Sequence, residues 1–293
     1  MKYFSVLLFL VICSAVNAAT VRLFAFTGHM HIVADTDTIF RKQSISVGTS
    51  YGSDIQFFGR TGPIKYPFVS TDVIYNSKSG FFVYGSVFNV LGYTPLVDEV
   101  DLGGGYLYNY SKNVTGTLSY TRFIFNKDAA QVIKSASSND IDFKNSYNWG
   151  FAKSSIITDY LFGQASDFFV TVNTSKYIET KWSVFDDKDY LSFNPTISAI
   201  FGTQNFVERY YLDHQYRLDV QNIFAPPPGN KPPDYDNGRF NALNYSVKIP
   251  IAYNRPHYTL EASWKYSIPV NVEGPLKNRH EVFFNLTFYY LFF

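Results

Sequence analysis

The sequence predicts an all-β chain, a transmembrane antiparallel up-and-down β-barrel of about twelve strands. Three observations predict it. Apolar and polar residues alternate along the chain, aromatic residues are abundant, and tight turns alternate with longer connections. The aromatic content is 19%, with 24 Tyr and 29 Phe, well beyond what a soluble core of this size needs. A mean hydropathy of -0.09 fits the same fold, because only every second residue of a barrel strand faces lipid.

The beginning of the chain reads as a leader. MKYFSVLLFLVICSAVNAAT carries Lys2, an apolar run from Phe4 to Val11 and a small-residue ending at Ala18, the pattern of a secretory signal peptide over residues 1–18. The apolar run is shorter than the ~20 residues of a membrane-spanning helix. Cys13, the single cysteine, falls inside this leader, so the exported chain is expected to hold neither disulfides nor thiolate chemistry. Lipidation at Cys13 would require a small residue where Ile12 stands. The net charge of +1, from Lys+Arg 25 against Asp+Glu 24, gives no basic field for nucleic acid.

Residues 19–43 read as a periplasmic segment or as an extra hairpin from VRLFAF and HIVA, which would raise the count to fourteen strands. His29 and His31 would share one face of that segment, followed at the same spacing by Asp35 and Asp37. Imidazole and carboxylate so spaced can hold a transition metal, but such alternation is common in exposed strands, and no cofactor is expected.

The barrel is expected over residues 44–293. Its first strand, 44–52, places Ile45, Val47, Thr49 and Tyr51 on one face and Ser46, Gly48, Ser50 and Gly52 on the other. Strands 67–77 and 81–91 are joined by the turn KSG, strands 99–110 and 114–125 by SKN, and strands 147–162 and 168–177 by GQASD. GTQN joins 189–201 to 206–218, NRPH joins 239–253 to 258–269, and the last strand is 281–293. The alternation is plainest late in the chain, where Tyr245, Val247, Ile249, Ile251 and Tyr253 oppose Ser246, Lys248 and Pro250. Such lengths suit the ~9–11 residues with which a tilted strand crosses a bilayer.

The connections between these hairpins are longer, notably 127–146 and 219–238. Short turns at one end and long loops at the other place the turns in the periplasm and the loops outside. Tyr75 with Phe82, Phe162 with Phe168, Phe201 with Phe206 and Tyr253 with Tyr258 bracket the turns, as an interfacial aromatic girdle does. An unpaired strand edge is intolerable in lipid, so the last strand should close on the first.

That last strand, EVFFNLTFYYLFF, alternates aromatics at Phe288, Tyr290 and Phe292 and stops on Phe293. It resembles the C-terminal targeting signal of Gram-negative outer-membrane β-barrel proteins. The resemblance implies export to the cell outer membrane, recognition by the barrel-assembly machinery, and outer-membrane lipid as the surroundings. Asn285 and Thr287 favour the odd-numbered set as the lumenal one.

Chemistry, if any, belongs to the polar faces. The residues expected to line the lumen are Asp72, Asp101, Arg209, Asp213, Gln215, Arg217, Lys248, Glu261 and Lys265. If Tyr253 pairs with Tyr258, Glu261 lies diagonal to Lys248 within reach of an ion pair. Both signs are interspersed, which fits a weakly selective, porin-like diffusion channel and equally a plugged, salt-bridged interior. In the plugged case the barrel would be a scaffold or accessory subunit for envelope protein partners. Barrel hydrolases of similar size, the outer-membrane phospholipase and lipid A deacylase groups, place a His and a Ser two residues apart on one face. None of the five histidines is followed by Ser at that spacing, and His257 with Thr259 is the nearest imitation. The expectation is a non-enzymatic barrel.

Overall fold

The computed structural model describes residues 23–24, 43–59, 65–128, 137–163, 165–203, 205, 240–271 and 280–293. Twelve strands form one closed antiparallel sheet. They are β1 (Ser44–Gly52), β2 (Phe68–Asn76), β3 (Phe81–Val90), β4 (Glu99–Asn109), β5 (Val114–Phe125) and β6 (Ser137–Asn148). The second half comprises β7 (Lys153–Gly163), β8 (Asp167–Ser175), β9 (Thr196–Gly202), β10 (Asn241–Asn254), β11 (Tyr258–Pro269) and β12 (Glu281–Phe292). Each strand pairs with its neighbour in sequence, and β12 closes on β1 from Asn285 opposite Gly52 to Phe292 opposite Ile45. Closure leaves no barrel edge, which is the condition for a sheet to sit in hydrocarbon. The backbone of Leu23–Phe24 forms a separate parallel pair with Ile55–Gln56.

The expected strand 189–201 is present in two pieces, Tyr190–Phe193 and β9, both paired with β10. Pro195 lies in the gap, and a residue without an N–H cannot donate to a ladder. Below the gap the β8–β9 hairpin continues as Ile178–Glu179 paired with Phe193 and Ser192.

Two expectations are corrected. The single strand expected at 147–162 is two strands, β6 and β7, turned at 149–152 with Gly150 at φ 83. Half of the supposed external loop 127–146 is therefore β6, whose sequence SSNDIDFKNSYN is polar enough to read as loop. The compensating strand, expected at 206–218, lies outside the described residues. β9 pairs directly with β10, so the twelve-stranded sheet closes without it.

These changes move turns from one end to the other. One end, hereafter the turn end, carries the connections 77–80, 110–113, 149–152, 176–195 and 255–257. The opposite loop end carries 53–67, 91–98, 126–136, 164–166, 203–240 and 270–280. The GQASD and GTQN turns thus belong to the loop end, not with NRPH. Their aromatics form a girdle there, with Phe168 and Phe201 packed on Phe240 at 6.1 and 6.5 Å between ring centres. Phe206 lies outside the described residues.

Candidate functional site

Alternation sorts the barrel into two surfaces. Outward stand Ile45, Val73, Leu118, Ile156, Ile249, Leu260 and Leu286, all exposed, as a lipid-facing band requires. Inward stand short polar side chains and charges. On the last strand Asn285 and Thr287 are buried, and the odd set is the inward one. Phe288, Tyr290 and Phe292 face outward and are exposed, and the Phe293 ring lies 5.8 Å from that of His257.

One wall of the interior is acidic. Asp72 of β2 and Asp101 of β4 both stand opposite Ser86 of β3, whose hydroxyl donates to Asp101 Oδ2 at 3.1 Å. On β6 and β7, Asp142 stands opposite Asp159, and the Ser119 hydroxyl donates to Asp142 Oδ1 at 3.3 Å. Asp140 and Glu99 are buried on the same wall, Glu99 between Phe88 and Phe125 of the adjoining strands. Asp72 Oδ2 and Asp101 Oδ1 accept no hydrogen bond from the protein. Lys144 is the inward cation of β6.

The facing wall carries both signs, Lys248, Lys265, Glu261 and Glu281. Lys248 of β10 stands opposite Lys265 of β11, and Lys248 Nζ lies 3.3 Å from Glu261 Oε1. That ion pair was expected, but through a different register: Tyr253 pairs with Leu260, not with Tyr258. Glu261 stands opposite Ala252, four residues from Lys248 along β10, and the two long side chains together span that offset. Lys265 is fully buried, donates from Nζ to Gln56 Oε1 at 3.2 Å and lies 5.6 Å from the centre of the Phe283 ring.

Gln56 comes from a feature that strand patterning overlooked. After β1 the chain turns into the barrel, and Ile55, Gln56 and Phe58 are buried. Phe58 stacks on Phe169 of β8 with ring centres 3.6 Å apart and planes at 4°, while Phe57 meets both rings edge-on. Leu161, Ile200 and Leu243 complete the cluster. Phe58 and Gly59 have φ of 44° and 79°, so the backbone reverses through two left-handed residues, a conformation that Gly accepts and Phe resists. A Cβ at Gly59 would come 2.4 Å from Asn244 Cβ, and Asn244 Nδ2 donates to Gly59 O at 3.1 Å. The segment 53–59 therefore docks across the loop end against the opposite wall. Its sequence signal is the apolar IQFF inside a connection, where turn residues would be ordinary.

Of the residues expected to line the lumen, Asp72, Asp101, Lys248, Glu261 and Lys265 lie on inward faces. Arg209, Asp213, Gln215 and Arg217 lie outside the described residues, as do His29 and His31. Both signs occur on each wall: carboxylates predominate on β2, β4, β6 and β7, where Lys144 and Lys153 also stand inward, and Glu261 and Glu281 share the β10–β12 side with Lys248 and Lys265. Asp140 and Asp142 were missed because their strand reads as loop. His257 and Thr259 have different partners, the imidazole beside Tyr290 at 6.3 Å and the Thr259 hydroxyl donating to Asn254 Oδ1 at 3.2 Å.

No protein-family model and no curated protein sequence matches the chain. Among solved structures it is similar to the KdgM porin at 6% identity and a TM-score of 0.48, covering 85% of this chain and 99% of that one. It is similar to the NanC porin at 10% and 0.43, covering 85% and 99%. An outer-membrane channel from Pseudomonas putida F1 aligns at 12% and 0.44, covering 88% and 98%. At these values the likenesses carry no argument about solute or activity. The closed sheet with its apolar outward belt stands on its own geometry. The chain has the architecture of an outer-membrane β-barrel.

Proposed function

We propose that the protein is an outer-membrane channel of small bore that favours cations, narrowed at its outer mouth by residues 53–59. The turn end then faces the periplasm and the loop end the exterior. The observation that carries this reading is the excess of carboxylates on one wall, where Asp72, Asp101, Asp142 and Asp159 stand inward with Lys144 and Lys153 as the cations among them. A dry, self-satisfied interior would match its charges pairwise, because an uncompensated buried carboxylate costs several kcal/mol. Water in a hydrated lumen supplies the donors that Asp72 Oδ2 and Asp101 Oδ1 lack within the protein.

The test is ion selectivity in planar bilayers, read in two opposite directions. Asp72→Asn with Asp101→Asn removes negative charge at nearly constant volume and should lower the potassium-to-chloride permeability ratio. Lys248→Glu with Lys265→Glu should raise it, and Gln56 Nε2, which has no acceptor, can donate to the reversed side chain. If neither pair shifts the reversal potential while the lysine pair abolishes the folded, heat-modifiable form, the interior is a dry plug.

A further inference from the structure

The outward surface contains an anomaly. On the outward faces of the twelve strands, among the described residues, Arg122 is the one charged side chain. An Arg exposed to hydrocarbon costs about 2–4 kcal/mol at the bilayer midplane, falling to about 0–1 near the interfaces. Arg122 stands three residues before Phe125, where β5 ends at the loop end, roughly 10 Å along the strand. It is therefore at the depth of the outer interface.

Its surroundings hold it in place without neutralising it. Arg122 Nη1 donates to Asn139 Oδ1 at 2.8 Å and to Ser138 Oγ at 3.0 Å, both on β6. The Tyr120 hydroxyl donates to the same Asn139 oxygen at 2.8 Å. Asn139 is itself tied down, its Nδ2 donating to Phe162 O at 3.1 Å. A guanidinium has five N–H donors in a planar fork. The bonds to Asn139 and Ser138 engage one nitrogen, so the remaining fork projects from the barrel wall with its charge intact. Leu102, Ile124, Ile141 and Tyr160 are exposed on the adjoining outward faces and offer apolar wall beside the cation.

We infer that Arg122, braced by Asn139 and Ser138, is a binding site for the phosphate headgroup of an anionic membrane lipid whose acyl chains lie along the β4–β7 wall. A phosphate monoester suits a guanidinium fork bidentately, and the outward, apolar-flanked position favours a lipid over a free anion. The inference rests on the membrane reading above, and its experiment separates the two.

The protein is refolded in an uncharged detergent, and fluorescent phosphatidic acid or phosphatidylcholine is titrated in by anisotropy, with and without inorganic phosphate. Phosphatidic acid should bind about tenfold tighter than phosphatidylcholine, the scale of one charge-assisted contact. Arg122→Gln should abolish the preference, Asn139→Ala should reduce it, and Arg122→Lys should keep an intermediate value because it retains charge and loses the fork. Equal preference in Arg122→Gln and the parent, with both heat-modifiable on gels, overturns the site. Displacement of the lipid by millimolar inorganic phosphate also overturns it, as a free-anion site. Insertion into phosphatidylcholine vesicles is scored separately: a protein that inserts but shows no preference sinks this inference alone, and one that fails to insert sinks the membrane reading.

Discussion

Replacing Phe58 by Ala tests whether the segment 53–59 is a latch or a fixed part of the wall. Phe58 is 1% exposed and stacked on Phe169, and the cluster it enters comprises Leu161, Ile200 and Leu243. Truncating a Phe in such a site costs about 3–5 kcal/mol. The left-handed backbone at Phe58 offers no compensation, because Ala is strained there as well. The loss falls on the segment, whose attachments to the opposite wall are this ring, Asn244 to Gly59 and Lys265 to Gln56. The inter-strand ladders of the barrel are untouched. A latch weakened by about 3 kcal/mol shifts the ratio of closed to open by about a hundredfold. Single-channel recording in a planar bilayer should show a corresponding rise in open probability, while the temperature at which heat-modifiable mobility is lost stays close to that of the parent. Phe169→Ala should have a similar effect, and the double variant little more, because both remove one stack. Unchanged gating with intact folding would refute the latch, and so would collapse of the whole barrel, since either outcome means that the segment does not move independently.

Two further predictions concern the turn end. Phe293→Asp should lower the yield of assembled protein in the outer membrane without lowering the thermal stability of what does assemble. The ring is 67% exposed, so its removal costs the folded barrel little, and an equal drop in both quantities would make its role structural. Asp189 anchors the hairpin that extends β8 and β9: its carboxylate accepts from Val184 N at 2.6 Å, Phe185 N at 3.0 Å and the Tyr253 hydroxyl at 2.9 Å. Burial alone would raise its pKa, but the N–H of Val184, the Tyr253 hydroxyl and the N–H of Phe185 outweigh burial and hold it below the ordinary 3.8. A lowered folded value means that the anchoring is fully present above the unfolded value and is lost as pH falls through the folded one. Amide exchange of Val184 and Phe185 should therefore be protected at neutral pH and accelerate below about pH 4, after correction for intrinsic rates. Asp189→Asn should remove that step.

Where one face was apolar throughout, the strands were legible to within a residue or two. β1, β3, β5 and β11 lie where alternation puts them, because lipid on one side and a polar lumen on the other impose a period of two. β6 escaped because its inward positions, Asp140, Asp142, Lys144 and Ser146, are as polar as any loop and only Ile141, Phe143 and Tyr147 mark its lipid face. The lumenal charges are legible one strand at a time, but not the excess of carboxylates on one wall, which depends in part on Asp140 and Asp142 of β6. The inward segment 53–59 was illegible for a different reason. Its fold depends on Phe169, Leu243 and Lys265, all more than a hundred residues later, and no local periodicity records such a contact.

Closure supplies a constraint that strand patterning alone does not use. In an antiparallel barrel the last strand pairs with the first only if the number of strands is even, so strands can be added or removed only in pairs. Missing β6 and placing a strand at 206–218 preserves the total, and both ends of the chain keep their sides. Between the two changes, however, every connection is transferred to the opposite end, which is why GQASD and GTQN read as turn-end connections and 176–195 as a loop-end one. The aromatic residues carry the information needed to detect the error. Phe162, Phe168, Phe201 and Phe240 occur at the ends of four consecutive strands, and a girdle at one interface alone would leave the other interface of β7 to β10 without one. Barrels have girdles at both interfaces. Aromatic clusters at a turn therefore fix its depth in the membrane but not its side. The side follows from the parity of strands counted inward from the β12–β1 seam, where the pairing of Phe292 with Ile45 sets it.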